Sequence, residues 1–156
     1  MKKYLVLALF SIFLVACKSN PSTKLDMKSE VGIKGNWTIT SVSFPGQDYF
    51  KVTSFNIADS QCFVGSTWKF VSNNNTGEMA LNKAGCDSYS SKITWFINKE
   101  GNLTMKLLSP GVKAKHNTSG YVFKVANQTA DSFQLVDRID VAGQVKDIVY
   151  QFNKTN

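Results

Sequence analysis

Apolar and polar residues alternate with a period close to two from Gly35 onward, and this pattern predicts β-strands. We count eight such segments, most of them separated by turns rich in Asn, Asp and Gly. Their large apolar positions are Trp37 and Ile39; Trp68 and Phe70; Met79 and Leu81; Ile93, Trp95 and Ile97; Leu103, Met105 and Leu107; Tyr121, Phe123 and Val125; Phe133 and Leu135; and Ile148, Tyr150 and Phe152. The polar Asp137 follows the seventh segment and is expected to mark where burial fades.

No helical period long enough for a crossover connection follows residue 60, which argues against a parallel βαβ architecture. Eight antiparallel strands with one buried face close naturally into a small up-and-down barrel. We therefore predict an all-β, antiparallel eight-stranded meander that forms a barrel over residues 35–156, with a partly open curved sheet as the alternative. Residues 49–57 are ambiguous, because they fit a ninth short strand, a helix or a loop.

The first sixteen residues have the layout of a bacterial lipoprotein signal peptide. Lys2 and Lys3 precede an uncharged run, residues 4–16, that is shorter than the roughly 20 residues a membrane-spanning helix needs. The sequence Leu-Val-Ala-Cys at residues 14–17 resembles a lipobox, which predicts cleavage before Cys17 and acylation of that residue. Two or more acyl chains anchor a protein stably without spanning the membrane. The alternative is an ordinary secretory signal with an incidental cysteine.

Residues 17–34 are polar and charged without a clear apolar period, which predicts a flexible tether with a short helical turn near Leu25–Val31. Lys18, rather than an aspartate, follows the acylated cysteine, and this favours the outer membrane over the inner membrane. No acidic cluster follows Lys18, and this favours the periplasmic face over the cell surface.

Charge and composition exclude several classes of function. The 18 Lys and Arg against 11 Asp and Glu give a net charge of +7, but no four basic residues cluster, so no nucleic-acid partner is expected. His116 is the only histidine and lies in a polar loop, and the chain has 3 cysteines. Because no phosphate-binding loop or nucleophile motif occurs either, we expect no catalytic residue, no metal site and no cofactor.

Cys62 and Cys86 flank a predicted hairpin whose turn covers Asn73–Thr76. Residue 74 lies midway between the two cysteines, so a symmetric antiparallel ladder extended outward would place them opposite each other. Cross-strand Cβ atoms lie about 4.5–5.5 Å apart, close to the roughly 3.5–4.5 Å that a disulfide needs. We predict a disulfide formed in the oxidising periplasm. Two reduced, buried thiols are the alternative.

The segment Gly35-Asn36-Trp37 resembles the Gly-x-Trp motif that opens the first strand of lipocalins. Over about residues 35–156 the chain is similar to the lipocalin-like lipoproteins of Bacteroidota. The further segments that carry this resemblance, in order, are Cys62, Trp68-Lys69-Phe70, Cys86, Ile93-Thr94-Trp95 and Gly101-Asn102-Leu103-Thr104. One departure is that no glycine stands two residues before Trp95.

Many lipocalins carry an arginine near the end of the chain that packs on the first tryptophan. Arg138 is the only arginine here and is the candidate for this contact with Trp37. The alternative is a surface arginine paired with Asp137 or Asp140.

The resemblance implies a barrel that holds a small hydrophobic ligand without covalent chemistry. The aromatic residues expected to line such a cavity are Trp37, Trp68, Phe70, Trp95, Tyr121, Phe123, Phe133, Tyr150 and Phe152. These side chains could instead fill a solid core. The alternative function is then a non-enzymatic accessory lipoprotein that docks on an outer-membrane protein complex through an exposed apolar patch or an open sheet edge. The loop Pro110–Asn117 is a candidate contact for such a partner.

Overall fold

Eight antiparallel strands form a closed barrel in the computed structural model, which describes residues 26–108 and 120–155. Each barrel strand pairs with the next, and the first also pairs with the last. In chain order the strands are β1 (Gly35–Ser43), β2 (Thr53–Ser54), β3 (Ala58–Asp59), β4 (Thr67–Val71), β5 (Thr76–Leu81), β6 (Tyr89–Ile97), β7 (Asn102–Leu108), β8 (Tyr121–Ala126), β9 (Ser132–Val141) and β10 (Gln144–Lys154), all but β2 and β3 belonging to the barrel. The predicted closed barrel is thus confirmed, and the partly open sheet is excluded.

Burial follows the alternation that predicts the strands. In β7, Leu103, Met105 and Leu107 are buried and the residues between them are half-buried. Successive Cβ atoms of a strand point to opposite faces of the sheet, so the apolar half of each strand lines the interior. The longest ladder joins β9 to β10 through Ala142 and Gly143, whose φ angles of 53° and 80° are those a type I′ hairpin needs.

One end of the barrel is covered by residues 44–66, the long connection from β1 to β4, which we call the lid. The β2–β3 pair and a 3₁₀ helix at Ser60–Phe63 lie within it. The ambiguous residues 49–57 are therefore irregular chain that includes β2. The lid buries Phe44, Phe55 and Phe63, and this apolar burial holds it on the barrel.

The opposite end of the barrel is closed by a short helix, α1 (Met27–Ile33). Asp26 caps this helix, and its carboxylate accepts hydrogen bonds from the backbone N–H and the hydroxyl of Ser29. The Ser29 bonds are the main cause that lowers the pKa of Asp26 below its ordinary value. The helix leads directly into β1, which ends at the lid, so α1 and the lid lie at opposite ends.

Backbone and side-chain hydrogen bonds fasten α1 to the strands. The Asp26 N–H donates to the Ile97 carbonyl at 2.7 Å, and the Ile97 N–H donates to Glu30 Oε1 at 2.9 Å. The indole N–H of Trp37 donates to the Ile33 carbonyl at 2.6 Å. Glu30 and Ile33 are fully buried. This end of the barrel is therefore closed by specific hydrogen bonds as well as by apolar packing.

The predicted flexible tether differs from the structure over its described part. Residues 26–34 carry α1, which starts and ends two residues later than the predicted turn near Leu25–Val31. The buried Ile33 and Glu30 fix the segment on the barrel, so the packed body includes residues 26–34 as well as the predicted domain from Gly35. The remainder of the predicted tether, with the predicted signal peptide and Cys17, lies outside the described residues.

The predicted disulfide is confirmed: Cys62 and Cys86 are bonded, with their Cα atoms 5.9 Å apart. Their surroundings differ from the prediction, because the β4–β5 ladder ends at the Thr67–Ala80 pair. Cys62 instead lies in the 3₁₀ helix of the lid, and Cys86 lies in the β5–β6 loop. The bond therefore ties the lid to a neighbouring loop at the same end of the barrel.

Candidate ligand-binding site at the mouth of the barrel

The interior of the barrel is packed with aromatic side chains in two groups. Near α1, the ring of Trp37 meets Phe133 edge-on at 4.7 Å between centroids, and Phe133 stacks on Phe152 at 4.5 Å. Phe70 meets Trp95 edge-on at 5.1 Å. Such contacts add about 0.5–1.5 kcal/mol per pair beyond area burial. The α1 end is therefore a filled core.

The second group lies under the lid, and Phe55 is at its centre. The Phe55 ring lies 4.8–5.8 Å from five other aromatic rings, a set that joins the lid to β4, β8 and β10. These rings belong to Phe63, Trp68, Tyr121, Phe123 and Tyr150. Phe55 thus enters the mouth of the barrel from outside the strand ladder and occupies its middle.

The backbone that inserts Phe55 is strained. Phe55 and Asn56 have φ angles of 55° and 54°, in the left-handed region that favours glycine. Asparagine tolerates this region, but a bulky residue there costs about 1–2 kcal/mol. The Tyr121 hydroxyl donates to the Phe55 carbonyl at 2.6 Å and holds the turn in place. The contacts around the ring offset the strain of the turn.

Tyrosine hydroxyls provide polar groups in this aromatic surface. The Tyr150 hydroxyl is hydrogen-bonded to the Ser54 hydroxyl, and both residues are buried. Burial is the main cause that raises the pKa of Tyr150 well above its ordinary value, so its hydroxyl stays neutral at physiological pH. Burial likewise raises the pKa of Tyr121. Both side chains are therefore neutral hydrogen-bonding groups.

Asp137 places a carboxylate on the interior face of β9. It pairs across the ladder with Ile148, whose side chain is buried in the core, and directly opposed residues of an antiparallel pair point to the same face. Burial raises the pKa of Asp137 above that of an ordinary aspartate. Burial fades at Asp137 as predicted, from the fully buried Leu135 to a half-buried side chain. The alternation of β9 nevertheless directs Asp137 toward the interior face.

Lys146 is the cation on the interior face of β10 nearest the lid. It pairs with Ile139, which packs against the core. Its ammonium group donates to the side-chain carbonyl of Gln47 in the lid and lies 5.3 Å from the centre of the Phe50 ring. Lys146 therefore fastens the lid rather than neutralising Asp137.

The predicted contact between Arg138 and Trp37 is wrong. Arg138 points outward and pairs with Asp147 at 3.1 Å, not with Asp137 or Asp140, because it occupies the outer face of β9. The surface alternative was right about exposure and wrong about the partner. The salt bridge is the main cause that raises the pKa of Arg138.

A lysine makes the contact that the arginine was expected to make. Lys154 is directly opposite Trp37 in the β1–β10 ladder, and its ammonium group lies 5.7 Å from the centre of the indole ring. The same group donates to the carbonyl of Ala130 at 3.3 Å. A cation–π contact of this kind contributes about 0.5–1 kcal/mol at an exposed site.

The nine aromatic residues singled out from the sequence are all placed on the interior face, though in different surroundings. Trp37, Phe70, Trp95, Phe133 and Phe152 lie in the filled core near α1. Trp68, Tyr121, Phe123 and Tyr150 surround Phe55 under the lid. Eight of the nine are buried, and Tyr121 is half-buried.

Sequence reasoning missed Phe55, Phe63 and the inward direction of Asp137. Continuing the β9 alternation from Phe133 and Leu135 by two residues would have found Asp137. No sequence pattern predicted the position of Phe55, which lies in the ambiguous residues 49–57. The loop Pro110–Asn117, which includes His116, lies outside the described residues.

Over residues 26–108 and 120–155, no three His, Cys, Asp or Glu side chains are arranged to hold a metal ion. The same residues contain no helix long and apolar enough to cross a membrane.

A closed up-and-down barrel with a helix across one end and a long lid across the other defines a lipocalin-type protein. The chain belongs to the lipocalin-like domain family, whose model matches residues 33–135. This confirms the predicted family resemblance. No match was found among curated proteins.

Similar solved structures include two from Bacteroides. A lipocalin-like protein of Bacteroides uniformis has 13% identity and a TM-score of 0.50, covering 80% of this chain and 99% of that one. An uncharacterized protein of Bacteroides eggerthii has 17% identity and a TM-score of 0.46, covering 78% and 98%. Bovine odorant-binding protein, in complex with a selenium-containing odorant, has 12% identity and a TM-score of 0.44, covering 88% and 78%. At these identities the likeness is one of fold.

Proposed function

We propose that this protein is a lipid-anchored outer-membrane lipoprotein that binds a small apolar ligand, without covalent chemistry, at the lid end of the barrel. The observation that carries the proposal is the position of Phe55. Its ring occupies a socket formed by five aromatic side chains, yet the backbone that places it there is strained. A strained residue at the opening of a barrel is typical of a functional segment.

In this proposal the ligand takes the place of the Phe55 ring in the socket. When the 53–57 turn moves outward, the Phe55 ring leaves its socket and its backbone is free to relax. An apolar ligand of similar size then takes the place of the ring and regains the aromatic contacts. Because the ligand replaces an existing side chain, its affinity reflects the difference between two occupants rather than the whole buried area.

The experiment is a fluorescence titration of the purified chain with N-phenyl-1-naphthylamine, a neutral apolar probe. Phe55→Ala removes the competing ring, so we expect it to bind the probe about tenfold more tightly than wild type, a change of about 1.4 kcal/mol. Tyr49→Ala is the matched control, because Tyr49 is an exposed aromatic residue of the same lid. Absence of binding by both wild type and Phe55→Ala would refute the proposal.

Membrane attachment is a separate part of the proposal. The sequence around Cys17 supports acylation there, and the neighbouring residues support an outer-membrane location facing the periplasm. Radioactive fatty acid fed to cells should label wild type and should not label Cys17→Ser. Added protease should leave the protein intact in whole cells and degrade it after the outer membrane is permeabilised.

An accessory role at an outer-membrane complex is the second candidate. Met27 and Val31 favour it, since they are exposed apolar side chains one helical turn apart on α1. The closed barrel, by contrast, offers no free strand edge among its eight strands. Crosslinking of the intact cell envelope tests this candidate: a specific outer-membrane partner that is lost in Met27→Ser/Val31→Ser would support it. Neither candidate requires a catalytic residue or a cofactor.

A further inference from the structure

The most unusual group in the mouth of the barrel is the carboxylate of Asp137. The side chains that pair on either side of it along the β9–β10 ladder are Leu135 with Tyr150 and Ile139 with Lys146, all on the interior face. Tyr150 is near enough for the Asp137 charge to contribute to its raised pKa. Asp137 therefore lies beside the aromatic socket that holds Phe55.

This carboxylate lacks a partner in the described structure. Over residues 26–108 and 120–155 its oxygens accept no hydrogen bond and form no ion pair. The nearest interior cation along the ladder, Lys146, is held by Gln47 and Phe50 of the lid. The hydroxyl of Tyr150 is likewise bonded to Ser54.

A half-buried carboxylate without a partner lowers the stability of a fold. Burial also raises the pKa of Asp137, which is the same cost expressed as proton affinity. An asparagine or a leucine at this position would lower the stability of the fold less than the carboxylate does. Groups that oppose stability in this way are typical of binding sites.

Aromatic rings and a carboxylate together recognise organic cations. Tyr150 and Phe123 meet edge to face in the socket. The negative quadrupole of an aromatic π-face attracts an ammonium group, and a carboxylate supplies the opposing charge. The β8–β9 ladder ends at Lys124 and Val136, and one further pair in the same register would join Phe123 and Asp137. The site thus combines an apolar socket with an anionic end.

We propose that Asp137 makes the mouth of the barrel selective for apolar ligands that carry a protonated amine at one end. This inference rests on the proposed ligand-binding function. The apolar part of the ligand takes the place of the Phe55 ring, and the ammonium group donates hydrogen bonds to the Asp137 carboxylate.

The test uses three ligands that share one alkyl chain: octylamine, octanol and octanoate. Each is used to displace N-phenyl-1-naphthylamine from the full chain, with Phe55→Ala as a second background in which the socket is open. We expect octylamine to displace the probe at a concentration roughly tenfold lower than octanol, and octanoate to be the weakest. Asp137→Asn should remove the advantage of the amine and leave octanol unchanged.

Asp131→Asn is the matched control, because it removes the same charge from an exposed residue in the β8–β9 turn, at the α1 end. It should keep the preference for the amine. Lys146→Met tests the opposite reading, in which Lys146 binds an anionic headgroup. Preference for octanoate that is lost in Lys146→Met would overturn the proposal.

The outcomes separate this inference from the function on which it depends. Equal displacement by the three ligands would refute selectivity at Asp137 and leave apolar binding in place. Failure of the probe itself to bind wild type and Phe55→Ala would refute the proposed function. Retention of the amine preference in Asp137→Asn would place the recognition elsewhere.

Discussion

The two ends of this barrel are closed in different ways. At the α1 end, the chain approaches the strands with matched hydrogen bonds, including those from Trp37 to Ile33 and from Ile97 to Glu30. At the lid end, closure depends on Phe55, whose backbone is strained, and it leaves the nearby Asp137 carboxylate without a partner in the described residues. The α1 end is thus closed largely by hydrogen bonds, whereas the lid end combines apolar burial and a disulfide with a strained turn and a carboxylate that is unpartnered among the described residues.

A buried carboxylate, Glu30, and a half-buried one, Asp137, show the same difference between the two ends of the barrel. Glu30 is fully buried at the α1 end, and its Oε1 accepts from the backbone N–H of Ile97, although Oε2 has no partner among the described residues. Asp137 is half-buried at the lid end and has no such donor. Glu30 thus helps to dock α1 on β6, whereas in our proposal Asp137 serves ligand recognition.

The largest expected effect lies at the α1 end. Trp37→Ala removes a buried indole, its contact with Phe133 and its hydrogen bond to Ile33, so we expect the free energy of unfolding to fall by about 3–5 kcal/mol. Phe55→Ala should lower the free energy of unfolding by less. It removes only ring contacts under the lid, whereas Trp37→Ala also breaks a buried hydrogen bond. Urea unfolding monitored by circular dichroism measures both. Equal losses would remove the distinction between the two ends.

The disulfide offers an intermediate effect that is confined to the lid end. Cys62 and Cys86 are separated by 24 residues. In the chain-entropy model, breaking a disulfide that closes a loop of this size lowers the free energy of unfolding by about 3 kcal/mol. We expect Cys62→Ser/Cys86→Ser to unfold at lower urea concentration. Hydrogen exchange should also become faster in residues 44–66. Faster exchange in α1 instead would contradict the assignment of the bond to the lid.

The smallest expected effect has the opposite sign. Asp137→Asn removes a half-buried charge and should raise the free energy of unfolding at neutral pH by about 1 kcal/mol. Asp131→Asn serves as the exposed control and should change stability little. A loss of stability in Asp137→Asn would show that the carboxylate has a stabilising partner.

The gain from Asp137→Asn should depend on pH in a defined direction. Burial raises the pKa of Asp137 in the folded state, so the folded protein holds this proton more tightly than the unfolded chain. The contribution of Asp137 to stability therefore falls as pH rises from the ordinary aspartate pKa through the raised one. The difference between wild type and Asp137→Asn should be largest above that window and should shrink below it. Parallel pH profiles for the two proteins would contradict this account.

Much of the barrel was predictable because its signal is local. Alternation within each strand identified the eight barrel strands and the interior position of residues such as Trp68 and Phe152. The disulfide was also predictable, although the reasoning placed Cys62 and Cys86 on a ladder that ends five residues earlier on one side and six on the other. The pairing was right because the lid and the β5–β6 loop, which carry the two cysteines, lie at the same end of the barrel.

The features at the lid end depended on where distant segments meet. The amino-acid sequence by itself determined the period of two, the aromatic interior and the pairing of the cysteines, because each of these depends on neighbours a few residues apart or on one hairpin. Only the tertiary structure decided that Lys154 lies over Trp37, that Phe55 packs among five aromatic rings, and that Asp137 lies on the interior face of β9. Those contacts depend on barrel closure and on the path of a loop without regular structure, and neither is encoded in a local pattern.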